Sequence, residues 1–135
     1  MVSLIIGTHG SFSRELINSA ELIYGKLENV SYITFLPGEG QKDLIDKYNT
    51  IINKLDKNSE ALFLVDLFGG SPFMIASKLL AKPDISERVE LVTGLNMAML
   101  LEVCSNLDEN LAKLKEIAIK AGKNGIVDLK EKLNS

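Results

Sequence analysis

The chain of 135 residues contains no tryptophan, one histidine, one cysteine and three prolines. Each scarcity removes a class of chemistry. A lone Cys104 cannot close an internal disulfide, and together with a single histidine it offers no ligand set for structural zinc. A reducing compartment, the cytoplasm, is therefore expected. There is no run of about eighteen apolar residues, and Met1 leads into Val-Ser-Leu-Ile-Ile-Gly rather than a basic leader, so neither a membrane span nor a signal peptide is read. Fifteen basic residues against eighteen acidic ones leave a net charge of −3, which argues against a nucleic-acid partner.

What is present is an ordinary globular composition, 46% hydrophobic and 24% charged, of a length that suits a single domain spanning residues 1–135. No repeat or low-complexity tract interrupts it, and only Glu131 to Ser135 is expected to fray. Val2 to Thr8 is a short apolar run stopped by Gly7-Thr8-His9-Gly10, which reads as a buried strand. Phe12, Leu16, Ile17, Ala20, Ile23 and Tyr24 follow at helical spacing, with Ser11 as N-cap and Gly25 as stop.

The alternation continues along the chain. Val30 to Leu36 is a second strand, and Leu44, Ile45, Tyr48, Ile51, Ile52 and Leu55 form the apolar face of a second helix. Ala61 to Val65 ends at Asp66 as a third strand, after which Ser71 is expected to cap a helix that has Pro72 at its first position and runs to about Lys82. Arg88 to Val92 makes a fourth strand, and Asn96 caps a helix of Met97 to Cys104. A last helix from Asp108 to Ala121 is closed by Gly122, and Gly125 to Leu129 reads as a short fifth strand at a sheet edge.

Strands alternating with helices over short connections imply a doubly wound α/β domain with a mostly parallel sheet. Four strands in the common order 2-1-3-4 are expected, plus the short C-terminal edge strand. In such sheets ligands bind beyond the carboxyl ends of the strands, which directs attention to Thr8–Ser11, Pro37–Gly40, Asp66–Ser71 and Thr93–Asn96.

His9 stands just past the first strand, where a histidine is either a turn residue beside Gly10 or a functional group. In the order 2-1-3-4 the first and third strands are neighbours, so Asp66 and His9 are placed to meet. A carboxylate on one ring nitrogen fixes the tautomer and leaves the other free to take a phosphoryl group. Asp66 is equally readable as a turn carboxylate bonding the amides of Phe68 or Gly69, and the two readings do not exclude each other. Gly69-Gly70-Ser71-Pro72 is either a plain glycine turn or an anion cradle of free helix amides and a hydroxyl.

Other chemistries lack their residues. No lysine follows the glycines as a phosphate-binding P-loop requires, Gly7-Thr-His-Gly10 lacks dinucleotide spacing, and no serine sits in a Gly-x-Ser-x-Gly elbow. The thiol of Cys104, in an apolar helical stretch, reads as a packing residue. A receiver domain would need an acidic cluster at the first strand, which here ends in Thr8-His9.

At these residues the sequence resembles the enzyme IIA component of the mannose class (the mannose, fructose and sorbose family) of the bacterial sugar phosphotransferase system. The likeness runs through Ile6-Gly-Thr-His-Gly10, Phe35-Leu-Pro-Gly-Glu39, Leu62-Phe-Leu-Val-Asp66, Gly69-Gly-Ser-Pro-Phe73 and Gly94-Leu-Asn96 with Met99-Leu100. The resemblance implies that His9 accepts a phosphoryl group on Nε2 from the histidine-containing phosphocarrier protein and passes it to a IIB component. It makes Asp66 the residue that orients His9 and Ser71 a contact of the phosphoryl oxygens. Thr8, Gly10, Phe35, Phe68, Gly69, Gly70 and Asn96 are then expected to form the phosphoryl pocket or its rim.

No metal, nucleotide or other cofactor is implied. The membrane IIC and IID components would be reached only indirectly, and they, not this chain, would recognise the sugar. A homodimer exchanging its C-terminal strands is also implied. Phe68 stands where some members have tryptophan, and Met97-Ala98 where others have isoleucine-proline, which bears on partner choice at the rim. Two alternatives stay open: the phosphotransferase subunit of a dihydroxyacetone kinase, and a regulatory module that senses phosphate without passing it on.

Overall fold

A computed structural model describes residues 1–134. The elements are β1 (Ser3–His9), α1 (Phe12–Tyr24), β2 (Val30–Phe35), α2 (Gln41–Ile52), β3 (Ala61–Val65), α3 (Ser71–Leu80), α4 (Pro83–Ser86), β4 (Val89–Thr93), α5 (Met97–Cys104), α6 (Leu111–Asn124) and α7 (Leu129–Asn134). All strand pairs are parallel, as the alternation of strands and helices implied, and the order is the common one that was expected, β2-β1-β3-β4.

Both faces of the sheet are covered, because alternate strand residues feed separate cores. Leu4 and Ile6 of β1 join Leu62 and Leu64 of β3 under Leu16, Leu100, Val103 and Leu114 from α1, α5 and α6. Ile5 and Phe63 point the other way, against Leu44, Tyr48, Ile75, Leu79 and Ile85 from α2, α3 and α4. Every residue of β3 is fully buried, the pattern expected of a central parallel strand. Burying side chains of this size contributes about 1.5–3 kcal/mol each, before the entropy of ordering them.

The structure corrects the reading of the C-terminus. Residues 126–128 form no strand, α6 continues through Gly122 to Asn124, and Leu129–Asn134 is a helix with no buried residue. An isolated segment cannot satisfy its backbone groups as a strand, whereas a helix bonds to itself. The short helix α4, opened by Pro83 at its first position, was not read from the sequence. Glu131 to Asn134, read as a fraying end, belong to the exposed helix α7, and Ser135 lies outside the described residues. Among the described residues no helix is long and apolar enough to cross a membrane.

Candidate functional site

Parallel register brings the carboxyl ends of β1 and β3 together. Gly7 is paired with Val65, so Asp66 emerges beside Thr8 and His9. The His9 backbone amide donates to Asp66 Oδ2 at 3.1 Å, and ring Nδ1 lies 2.9 Å from the same oxygen. One oxygen thus fixes both the backbone and the ring of His9, and the open choice for Asp66 resolves toward the histidine. A carboxylate only accepts, so Nδ1 carries a proton, and in the neutral ring Nε2 keeps the lone pair. The other oxygen, Asp66 Oδ1, is buried and has no partner among the described residues.

Nε2 faces the start of α3. A methyl group at Gly70 would lie 3.1 Å from Nε2 and 2.5 Å from Cε1 of His9, so only glycine lets this backbone approach the ring. The helix begins one residue earlier than the sequence implied: Gly70 is the N-cap, Ser71 is the first helical residue and Pro72 the second. The reason is that Gly70, extended at φ −74° and ψ 169°, already accepts the first helical bond from the Met74 amide at 2.9 Å. Ser71 is consequently the first helical residue and not the cap. The amides of Ser71 and Phe73 belong to the first turn of α3, where no intrahelical acceptor exists. Gly69, at φ 85°, makes the exposed turn that precedes them.

The rim is aromatic. The Phe35 ring meets the His9 ring edge-on at 6.4 Å, and Phe35 and Gly10 exchange backbone hydrogen bonds of 2.8 and 3.3 Å that tie the two loops together. Phe68, in the loop between Asp66 and Gly70, is 74% exposed and leans on Phe73 at 4.8 Å.

Two expected rim residues have other work. Thr8 is wholly buried; its Oγ1 accepts from the Ser13 amide at 2.7 Å, and Ser13 Oγ donates to the Ile33 carbonyl at 2.8 Å. This pair seats α1 on β1 and β2. Asn96 caps α5 by accepting from Met99 N at 2.9 Å, and its amide nitrogen donates to the Gly122 carbonyl at 3.0 Å, joining α5 to α6.

Three residues that support the site were not read as such from the sequence. Tyr48 counted only as part of an apolar stripe, yet its hydroxyl donates to the Pro72 carbonyl at 2.9 Å. The signal was Gly7, a glycine inside a strand, which marks a close approach. Lys47 Nζ donates to Glu39 Oε1 and to the Thr34 carbonyl, each at 2.7 Å, while Glu39 Oε1 also accepts from the Leu36 amide. The Lys47 bond, with the Leu36 amide, holds the Glu39 carboxyl below its usual range. This clamp shapes the loop after Phe35, and no spacing announced it.

The model of a family described as "PTS system fructose IIA component", PTS denoting the phosphotransferase system, matches residues 3–119. The mannose-specific EIIAB component of Escherichia coli K12 is 39% identical over 133 residues, 97% of this chain. The chain spans 40% of the length of that relative. The fructose-specific EIIA component of Bacillus subtilis is 38% identical over 117 residues, 87% of this chain and 77% of that protein. Among solved structures, EIIA from Streptococcus agalactiae superposes with a TM-score of 0.88 at 31% identity, covering 97% of this chain and 99% of that one. The mannose/sorbose-specific IIA subunit from Enterococcus faecalis gives 0.86 at 25% identity, covering 94% and 93%. With His9, Asp66 and the glycine turn all inside the matched residues and the fold shared with solved IIA proteins, the chain belongs to the mannose-class IIA family of sugar phosphotransferase system components.

Proposed function

We propose that the chain is a phosphoryl carrier that accepts its group on His9 Nε2 from the histidine-containing phosphocarrier protein and passes it to a IIB component. The observation that carries this reading is the 2.9 Å bond between His9 Nδ1 and Asp66, which in the neutral ring puts the lone pair on Nε2, beside Gly70. In the forward step the Nε2 lone pair attacks phosphorus in line, the phosphorus–nitrogen bond to the donor histidine breaks, and the donor imidazole leaves with that electron pair. The proton on Nδ1 stays in place, and Asp66 balances the positive charge that the ring acquires. In this reading the Ser71 hydroxyl and the first-turn amides of α3 donate to the phosphoryl oxygens, the arrangement by which helix N-termini hold anions. Neither metal nor nucleotide enters this scheme.

Donor and acceptor proteins must each reach an exposed imidazole, and the half-buried Phe35 beside its ring and the exposed Phe68 in the loop after Asp66 offer them apolar contact area. Membrane IIC and IID components are engaged only through IIB, and the chain works in the cytoplasm. A homodimer with exchanged C-terminal segments is part of the proposal. Its support is that β4 is an outer strand with one edge unpaired, while Ile126, Val127, Leu129 and Leu133 are 82%, 58%, 69% and 73% exposed. Side chains of this kind are seldom left in water together.

The test is the intact mass of the protein after incubation with phosphoenolpyruvate, enzyme I and the phosphocarrier protein, with His9→Ala in parallel. One acid-labile phosphoryl group is expected on the wild type alone, and a cognate IIB should remove it. Phosphorylation of His9→Ala at the wild-type rate would refute the assignment. Uptake without release to IIB would favour the phosphate-sensing module.

A further inference from the structure

The hydroxyl of Tyr48 lies between the two backbone segments that build the candidate site. On one side it abuts Gly7, two residues before His9, so closely that a methyl group there would collide with Tyr48 Oη. On the other it donates to the carbonyl of Pro72, two residues after Gly70, at 2.9 Å. Gly70 in turn is the residue packed on His9 Nε2. We propose that Tyr48 is a positioning residue for phosphoryl transfer, its hydroxyl setting the distance between His9 and the first turn of α3. The inference rests on the reading of His9 as the acceptor.

Several observations separate this role from simple packing. Tyr48 is fully buried on the apolar stripe of α2, where phenylalanine would fill the same volume without a polar atom to satisfy. Burial, with the nearby Asp66 charge second, raises the phenol well above its ordinary range, so the hydroxyl remains a donor throughout the working pH. Gly7 is a costly residue for a strand interior and is there for this hydroxyl, since a side chain would occupy the same space. Small displacements matter at this spot, because a shift of about 1 Å between reacting groups can reduce a rate about a hundred-fold.

The experiment compares wild type, Tyr48→Phe, Gly7→Ala and the double variant. Phosphoryl uptake from the phosphorylated carrier protein is measured at saturating and subsaturating donor, with thermal melting and the ¹⁵N shifts of the single histidine ring. Tyr48→Phe should lower the saturated rate about ten-fold, leave the KM for donor unchanged and move the His9 ring shifts. Gly7→Ala should lose more, and the double variant should recover to near the level of Tyr48→Phe, because the collision with Oη is gone and what remains is a 3.2 Å contact with the ring carbon Cζ. A full saturated rate in Tyr48→Phe, or no recovery in a folded double variant, overturns the proposal, since a structural hydroxyl would change only the melting temperature. If Tyr48→Phe fails to fold, Tyr48 is a stability residue and the proposal falls. If wild type itself takes no phosphoryl group from an active donor, the carrier reading fails separately. The ring shifts then decide whether Tyr48 positions His9, and unchanged shifts in Tyr48→Phe reject it.

Discussion

Gly70→Ala should separate catalysis from stability. The backbone at position 70 has φ −74° and ψ 169°, which alanine adopts without strain. The obstacle is the new methyl group, 2.5 Å from His9 Cε1 and 3.1 Å from Nε2. Carbon atoms rest at about 3.5–4.0 Å, so the ring must retreat by about 1 Å. It can do so, because the His9 side chain is 45% exposed and can swing toward solvent. That swing breaks the bond to Asp66, a loss of about 1 kcal/mol. Replacing glycine in a permitted conformation returns about 0.4–1 kcal/mol by restricting the unfolded chain. The net change is under about 1 kcal/mol, or within about 4 °C in melting temperature. Transfer, by contrast, loses both ring orientation and the open approach to Nε2, and should fall at least about a hundred-fold, or about 2.7 kcal/mol in the barrier. A time course of phosphoryl uptake by intact mass, with a thermal melt of the same sample, measures both. Wild-type uptake would refute the reasoning, and so would destabilisation beyond about 3 kcal/mol, which would mean that the ring cannot move aside.

Other expectations follow from the same geometry. Asp66→Ala frees the His9 ring to rotate and removes the balancing charge, so transfer should slow by about ten- to a hundred-fold while the protein stays folded, as circular dichroism would show. Asn96→Ala removes the α5 cap and the bond to Gly122, and should cost about 1–2 kcal/mol in urea unfolding with the rate of phosphoryl uptake unchanged. A slowed rate per folded molecule would instead return Asn96 to the rim of the site. The Glu39 carboxyl is depressed in the folded state, so its stabilising contribution is complete at neutral pH and is lost as pH falls below the ordinary carboxylate range toward its folded value. Glu39→Gln should therefore be less stable than wild type at pH 7, with the difference shrinking below about pH 4.5, as melts across that range would record.

The periodicities of the chain were enough for the strands, the major helices and the order of layers, because each apolar run serves one face of one sheet. They were also enough to single out His9, Asp66 and the Gly69-Gly70-Ser71 turn, since parallel strands deliver their carboxyl ends to one edge whatever the detailed packing. Local patterns failed where the outcome depends on a neighbour. Gly125 to Leu129 has the residues of a strand, but within its own chain it meets no partner edge, and a helix over Leu129–Asn134 follows instead. Ser71 has the residue type of a cap, but the extended backbone of Gly70 takes that position first.

The amino-acid sequence by itself determined which chemistry is possible, because the chain has one imidazole and the motifs around it fix the family. Only the tertiary structure decided how that imidazole is held. The 2.9 Å contact with Asp66 joins residues 57 apart in the chain, and Tyr48 bonds across 24 residues to Pro72. The expected strand order already brought His9 and Asp66 to one edge; which of their atoms meet, and at what distance, arises from how the register of β1 and β3 and the seating of α2 and α3 add together in space.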